Sequence, residues 1–270
     1  MVTRMEISGR TTISAIIADP IDHVKTPQAI NARLAALGAD ATLIPVHVTA
    51  DDLAPVIQGF RRMANLAGFI VTVPHKTAVV EHCDELSADA RHIGAVNIVR
   101  RLPDGRLRGD MLDGQGFLAG LRSAGLDPAG RTAYLAGAGG AANAIAFALA
   151  GAGVTQLTVA NRTAARAEAL IQRLAAVYPQ VHYQVGSRDA GGHDLVVNAT
   201  SLGLRADDPL PLDADSLTPD QTVAEIIMQP AETPLLMAAE ARGCRTHPGR
   251  PMLEHQLTLM LQILGFSQPD

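Results

Sequence analysis

Tryptophan is absent from this 270-residue chain, and phenylalanine and tyrosine together bring the aromatic content to only 3%. Its core must therefore be built from Ala, Leu, Val and Ile, a composition that suits layered α/β packing. Only two cysteines occur, Cys83 and Cys244, far apart and without metal-ligand spacing. They read as reduced, buried thiols of a cytoplasmic protein, and no metal is expected. Basic charge is not in excess either: the formal net charge is -5 and the pI is near 6.0, which excludes the electrostatic footprint of a nucleic-acid partner. No N-terminal stretch has signal-peptide form, and the Ala-rich run over residues 133–152 is too broken by glycine to span a bilayer, so no membrane partner is expected. Low-complexity segments and fixed-period repeats are also missing. The length accommodates two modest domains or one large one.

What is present is organised around residues 132–166. Thr132 to Ala136 is an apolar run of strand length, followed by Gly137-Ala138-Gly139-Gly140-Ala141-Ala142 and an Ala-rich helical segment from Asn143 to Gly151. A second apolar run, Gln156 to Ala160, ends at Asn161-Arg162-Thr163, with Arg166 beyond. Strand, glycine turn, helix, strand is the unit that binds a dinucleotide. Gly137 permits the tight turn, Gly139 lets the backbone approach a pyrophosphate, Ala142 takes the third small position, and the helix N-terminus offers unpaired N–H groups, with Gly140 and Ala141 of the turn counted among the cofactor contacts. The alternative is an ordinary tight turn in a small-residue core. About twenty residues on, an NAD site would place an acid to accept from the ribose 2′-hydroxyl. This chain places Asn161, Arg162, Thr163 and Arg166 there, and guanidinium groups pair with a 2′-phosphate that an acid would repel. The expected cofactor is NADP.

Along the rest of the chain, strands are expected at Thr12 to Ile17, Ala41 to Val48, Gly68 to Val73, Asp194 to Asn198 and Val223 to Ile227, and Ala95 to Val99 with a charged hairpin around Pro103-Asp104-Gly105 closes the first half. Helices are expected from Pro27 to about Leu37 with Thr26 as N-cap, from a cap at Thr49 or Asp51 to about Ala64, and from Lys76 toward Cys83. Further helices fit Gln115 to Ala124, Ala164 to Val177, Leu235 to Arg242 and Met252 to Leu264. Alternation of strand and helix argues for an α/β protein with parallel sheets in both halves.

These residues carry a resemblance. Pro20-Ile21 with His23 and Pro27, then Val71-Thr72-Val73-Pro74-His75-Lys76, Gly94-Ala95-Val96-Asn97, Asp113-Gly114 with Gly116-Phe117, the Gly137 turn, Asn161-Arg162-Thr163 with Arg166, and Asn198-Ala199-Thr200-Ser201-Leu202-Gly203 follow in order. Pro230, Thr233-Pro234-Leu235-Leu236 and Gly249 with Met252-Leu253 and Gln256 complete the set. In this order the chain resembles the shikimate/quinate dehydrogenase family over nearly its whole length. The resemblance implies an N-terminal α/β substrate-binding domain, a Rossmann domain for NADP, and a cleft between them where hydride moves between NADP(H) and a cyclic hydroxy or keto acid. It places residues 1–110 with 247–270 in the first domain and 111–246 in the second. Lys76 and Asp113 match the family's catalytic pair. Thr26, Thr72, Asn97 and Gln256 match substrate contacts, and Thr200 joins the cofactor contacts. Taken without the family, Lys76 reads as a solvated lysine at a helix start, His75 as structural, and the amides of Asn97 and Gln256 as backbone caps. The family contains monomers and homodimers.

Several usual polar positions differ. Val24 stands where the family has a hydroxyl for the substrate carboxylate, Ile70 where it has asparagine, Met111-Leu112 where it has Asn-Thr, and Glu225 and Met228 where an aspartate and a tyrosine are common. An unpartnered ring hydroxyl against an apolar wall costs roughly 1 to 3 kcal/mol, so the expected substrate is shikimate or a less hydroxylated relative. A non-catalytic protein sensing NADP(H) or a metabolite is the competing class; retention of Lys76 and Asp113 speaks against it.

Overall fold

The computed structural model describes residues 6–22, 24–205 and 207–266. His23 lies outside the described residues, as do the outermost residues of the expected first domain. The chain divides into two compact units, one of Met1–Leu112 with Leu257–Asp270, the other of Asp113–Gln256.

The first unit holds β1 (Thr12–Ala18), α1 (Thr26–Ala36), β2 (Ala41–His47), α2 (Leu53–Arg62), β3 (Leu66–Val71), a 3-10 turn (Ala78–His82), β4 (Glu85–Leu86), α3 (Ala88–Ile93), β5 (Ile98–Arg101) and β6 (Leu107–Asp110). Its sheet runs β2-β1-β3-β5-β6-β4. The β1, β2 and β3 strands are parallel, and the sheet then continues through antiparallel pairings of β5 with β3 and with β6. β3 is buried because it lies between two other strands, as its apolar run requires. It stops at Val71, two residues short of the expected end, where Thr72 N donates to Ile17 O and the chain turns into Pro74 and His75.

Three helix starts in this unit differ from expectation. Thr26 is the first residue of α1 and Lys25 is its N-cap, with no side-chain cap; Pro27 still takes an early helical position, where its missing N–H costs nothing. Asp52, not Thr49 or Asp51, precedes α2; the Thr49 hydroxyl donates to the Asp52 carboxylate at 2.8 Å, so both side chains satisfy each other rather than the helix. The segment after Lys76 forms only the short 3-10 turn, since Val79 is its one buried residue and no apolar stripe rewards a longer helix.

The second unit holds α4 (Asp113–Ser123), β7 (Thr132–Ala136), α5 (Gly140–Gly151), β8 (Gln156–Ala160), α6 (Ala164–Val177), β9 (His182–Val185), β10 (Leu195–Asn198), β11 (Thr222–Glu225), α7 (Pro234–Ala241) and β12 (Arg245–His247). Its sheet is wholly parallel, ordered β12-β11-β10-β7-β8-β9, which is the doubly wound Rossmann order. Strand order reverses between β7 and β10, and ligands of such sheets bind beyond the carboxyl ends of the strands at that reversal. A core of Tyr134, Val196, Leu212, Val223, Leu235 and Leu236 packs around these central strands. Helix α5 buries Ala142, Ala144, Ala146 and Ala150, whose small side chains lose no rotamer entropy and let the helix lie close to the sheet.

The last helix, α8 (Arg250–Leu264), crosses from one unit's residues into the other's. In the first unit it buries Leu257, Met260, Leu261 and Leu264, an i, i+3, i+4, i+7 stripe, each worth about 1.5–3 kcal/mol when removed from water. No helix among the described residues is long and apolar enough to cross a membrane.

Candidate functional site

A cavity of about 640 Å³ lies at the strand-order reversal of the second unit. One wall is the turn after β7, with Gly137 and Gly139; the far end is formed after β8 by Asn161, Arg162, Thr163 and Arg166; the loop after β10 supplies Ala199, Thr200, Ser201 and Leu202. Gly137 is required in this turn. Its φ of +116° is a conformation L residues rarely adopt, and a Cβ there would sit 2.8 Å from the Ala199 carbonyl oxygen. At Gly139 and Gly140, by contrast, an added Cβ would meet nothing within 4 Å, so this face of the turn is open. Gly140 and Ala141 form the first turn of α5, whose leading N–H groups have no partner within the helix. The turn is held from behind by Asn143, whose amide donates to Ala138 O at 3.1 Å and Gly139 O at 2.7 Å, while Arg173 donates to its oxygen.

Arg162 and Arg166 are exposed at the tip of β8, and among the described residues no carboxylate pairs with either. The Asn161 amide donates to Thr163 O at 2.9 Å, closing the tip. Sequence reading missed Asn143 and the residues after β9, of which Gly186, Ser187 and Arg188 line the same cavity. β9 itself gave no signal because His182-Tyr183-Gln184-Val185 is a short, largely exposed edge strand. Tyr134 links it to the centre: its hydroxyl donates to Ser187 O at 2.8 Å, and burial pushes its pKa up to about 12, which keeps it a donor.

In the first unit, the remaining candidates stand at the start of α1, after β3 and just before β5. Asn97 is buried; its N–H donates to Asp110 O, its carbonyl accepts Val71 N, and its side-chain oxygen accepts Leu112 N at 2.9 Å. Backbone capping is thus one part of its work. Lys76, one of only two lysines in the chain, is half-buried two residues after Pro74, and its carbonyl accepts Val96 N at 2.8 Å. Thr72 is half-buried just before Pro74, and Thr26 is half-buried at the head of α1. His75 is structural as expected: it is 1% exposed and its Nε2 lies 2.7 Å from Val48 O, so that nitrogen carries the proton and donates.

Asp113 opens α4 in the second unit, where it is buried and accepts a hydrogen bond from the Gln256 amide at 2.5 Å. Gly116 permits this approach, since a Cβ on it would lie 2.8 Å from Met252 O and 3.0 Å from the Gln256 Cβ. The sequence offers Gln256 as a substrate contact or a backbone cap; in the fold its amide nitrogen donates to the Asp113 carboxylate.

Residues 16–99 match the shikimate dehydrogenase substrate binding domain, and residues 122–203 match shikimate / quinate 5-dehydrogenase. The chain is 42% identical over 254 residues to a protein of Rubrobacter xylanophilus named shikimate dehydrogenase (NADP(+)), covering 93% of this chain and 89% of that one. The chain belongs to the shikimate dehydrogenase family. Among solved structures, it is similar to the ligand-free 5-ketofructose reductase of a Gluconobacter strain, at 35% identity and a TM-score of 0.90 over 97% of this chain and 96% of that one. It is also similar to the shikimate 5-dehydrogenase of Listeria monocytogenes in complex with shikimate and NAD, at 33% identity and a TM-score of 0.91 over 97% and 94%.

For a shikimate dehydrogenase family member, several unusual residues prove to be interior ones. Ile70, Met111 and Leu112 are each at most 3% exposed, and Glu225 is fully buried with its carboxylate consumed by protein donors. Of the altered positions, Val24 is half-buried and Met228 is 45% exposed.

Proposed function

We propose that this chain is an NADP-dependent oxidoreductase acting on a cyclic hydroxy or keto acid, shikimate and 3-dehydroshikimate or a less hydroxylated relative. The observation that carries the reading is the cavity at the strand-order reversal, with an open glycine turn at one end and two unpaired guanidinium groups at the other. The donor set fits NADP(H): Gly137, Gly139, Gly140 and Ala141 would receive the pyrophosphate, Arg162 and Arg166 the 2′-phosphate with Asn161 and Thr163, and Thr200 the opposite wall. NADP(H), when bound, supplies or accepts the hydride. The R. xylanophilus relative carries NADP(+) in its name, which agrees.

The chain's own part is proton and charge chemistry. Reduction of a ketone builds negative charge on the carbonyl oxygen, and the Lys76 ammonium would stabilise that oxygen and give it a proton. Asp113 would hold the ammonium oriented and favour its charged form, and Gln256 fixes the carboxylate in turn. Thr26, Thr72 and Asn97 would take the substrate's polar groups. In this reading residues 1–110 with 247–270 bind substrate and residues 111–246 bind cofactor. The two unpaired thiols support a cytoplasmic location. The protein would work as a monomer or homodimer.

The test is oxidation of NADPH, with NADH in parallel, by 3-dehydroshikimate and a series of less hydroxylated cyclic keto acids. The panel includes 5-ketofructose, because Val24 removes a carboxylate-binding hydroxyl and a ketofructose reductase is among the similar structures. Turnover of a cyclic keto acid with NADPH preferred is expected. Cofactor binding without turnover of any keto acid of the panel, or with turnover of 5-ketofructose alone, would contradict it.

A further inference from the structure

Glu225 lies at the carboxyl end of β11 and has no solvent exposure. A buried carboxylate is costly unless its oxygens are filled. Here all four contacts are donors: Oε1 accepts Ile226 N at 2.8 Å and Ile227 N at 3.1 Å, while Oε2 accepts the Asn198 amide at 2.9 Å and the Thr233 hydroxyl at 3.1 Å. Thr233 is the N-cap of α7, its own oxygen accepting Leu236 N at 3.3 Å. One carboxylate thus ties the ends of β10 and β11 to the start of α7.

The tie continues into the cofactor cavity. With its NH₂ held by Glu225 and by Leu202 O at 3.0 Å, Asn198 has its amide orientation fixed, and its oxygen accepts both Thr200 N at 3.0 Å and the Thr200 hydroxyl at 2.7 Å. Thr200 Oγ1 in turn accepts Leu202 N at 3.0 Å. Ala199, Thr200, Ser201 and Leu202 are the cavity wall, and Ala199 O is the atom against which Gly137 closes. Amide, hydroxyl and carboxylate form a directed relay in which reversing one donor misplaces the next.

We infer that Glu225 is a positioning residue for NADP(H): through Asn198 it sets the backbone of residues 199–202 and hence the cavity wall that meets the cofactor. The inference rests on the cofactor reading above. Burial also raises the Glu225 pKa above its ordinary value, against the pull of its donors, so the site relies on those donors to remain a carboxylate.

The experiment is calorimetric titration of the full chain with NADPH, alongside thermal melting without cofactor. It compares wild type, Glu225→Gln, Asn198→Asp and the reciprocal double swap, which preserves one carboxylate facing one amide in the opposite direction. Glu225→Gln, which turns an NH₂ against the NH₂ of Asn198, is expected to weaken NADPH binding by about 10-fold or more, as does Asn198→Asp by opposing two carboxylates. The swap restores the amide–carboxylate pair but loses the Asn198 donation to Leu202 O, so it is expected to bind NADPH at least about 3-fold more tightly than either single variant without reaching wild type, and kcat at saturating cofactor is to change far less than the affinity. A folded Glu225→Gln protein with wild-type NADPH affinity, even if it melts earlier, overturns the inference, because a purely structural role moves the melting point alone. If Glu225→Gln does not fold, the swap decides: a folded swap that binds NADPH supports the relay, and one that fails to fold or folds without binding overturns it. Wild-type protein that binds no NADPH overturns the cofactor reading itself, and this inference with it.

Discussion

The Gln256 amide donates to the Asp113 carboxylate across 2.5 Å, between two side chains that are each less than a tenth exposed. Such a short charge-assisted bond in a dry setting fixes the acid's position, and its loss leaves a buried carboxylate oxygen without that donor. Gln256→Ala is expected to lower kcat by about 10- to 100-fold, corresponding to roughly 1–3 kcal/mol, with a smaller change in KM for the cofactor. Steady-state kinetics at saturating NADPH check this; an unchanged kcat would remove Gln256 from the proposed machinery.

Arg162 and Arg166 are expected to discriminate between cofactors. Replacing either by Gln should weaken NADPH binding by about 10- to 100-fold, the worth of one charged hydrogen bond at roughly 1.5–3 kcal/mol, and leave NADH binding nearly unchanged. Titration with both cofactors reads the ratio directly. Equal losses for NADPH and NADH would place the 2′-phosphate elsewhere, with Arg188 the next residue to substitute, since it lines the same cavity.

Gly137→Ala combines a strained φ with a Cβ only 2.8 Å from Ala199 O. The backbone penalty alone is on the order of 1–3 kcal/mol. Melting should fall by several degrees and NADPH binding should be lost, whereas Gly139→Ala, with open space around its Cβ, should keep its stability and weaken only the cofactor. Comparable melting losses in the two variants would contradict this division.

His247 supplies a pH dependence. It is 3% exposed, its Nε2 has no partner among the described residues, and burial, with a smaller contribution from Arg245, lowers its pKa below 6.5. Between 6.5 and the lowered folded value the unfolded chain binds the proton and the folded chain does not, so stability falls as pH falls through that window. Glu225 works in the opposite sense above its ordinary 4.5, because its raised pKa means that ionising it costs stability as pH rises toward the folded value. Melting curves of wild type and His247→Gln should converge in slope above pH 6.5 and diverge below it, the variant being the less acid-sensitive. Parallel slopes throughout would remove His247 as the cause.

Val24→Ser restores a hydroxyl at a position where the family recognises the substrate carboxylate. Its shikimate KM is expected to fall by about 3- to 10-fold, in keeping with one net hydrogen bond of roughly 1 kcal/mol. No change in KM would mean that Thr26 and Lys25 already satisfy the acid, or that the substrate carries none.

Much of this arrangement was readable before any coordinates. Gly137, Arg162 and Arg166 announce themselves because backbone strain and charge are local properties, and helix α6 was readable to its ends, Ala164 and Val177, from an uninterrupted run of helix formers. The contribution of Ser187 and Arg188 was not readable, because it depends on β9, a four-residue edge strand with no apolar alternation to mark it, and the Asn143 brace was not, because it needs Arg173, thirty residues away on α6. The altered positions Ile70 and Leu112 mark a further limit: the sequence shows that they depart from the family's pattern, and only the folded chain shows that both are buried. Glu225 shows the same limit most plainly. In sequence it is an acid beside other substitutions, and only the folded chain reveals four donors converging on it.

The most direct measurement is the turnover rate of Lys76→Ala against wild type, with NADP+ and shikimate or whichever cyclic hydroxy acid of the panel serves best, after melting and NADPH titration have established that the variant is folded and binds cofactor. The account predicts a fall in kcat of about 10²- to 10⁴-fold, the usual worth of a positioned proton donor, with NADPH affinity within roughly 3-fold of wild type. A variant that turns over at the wild-type rate would contradict it.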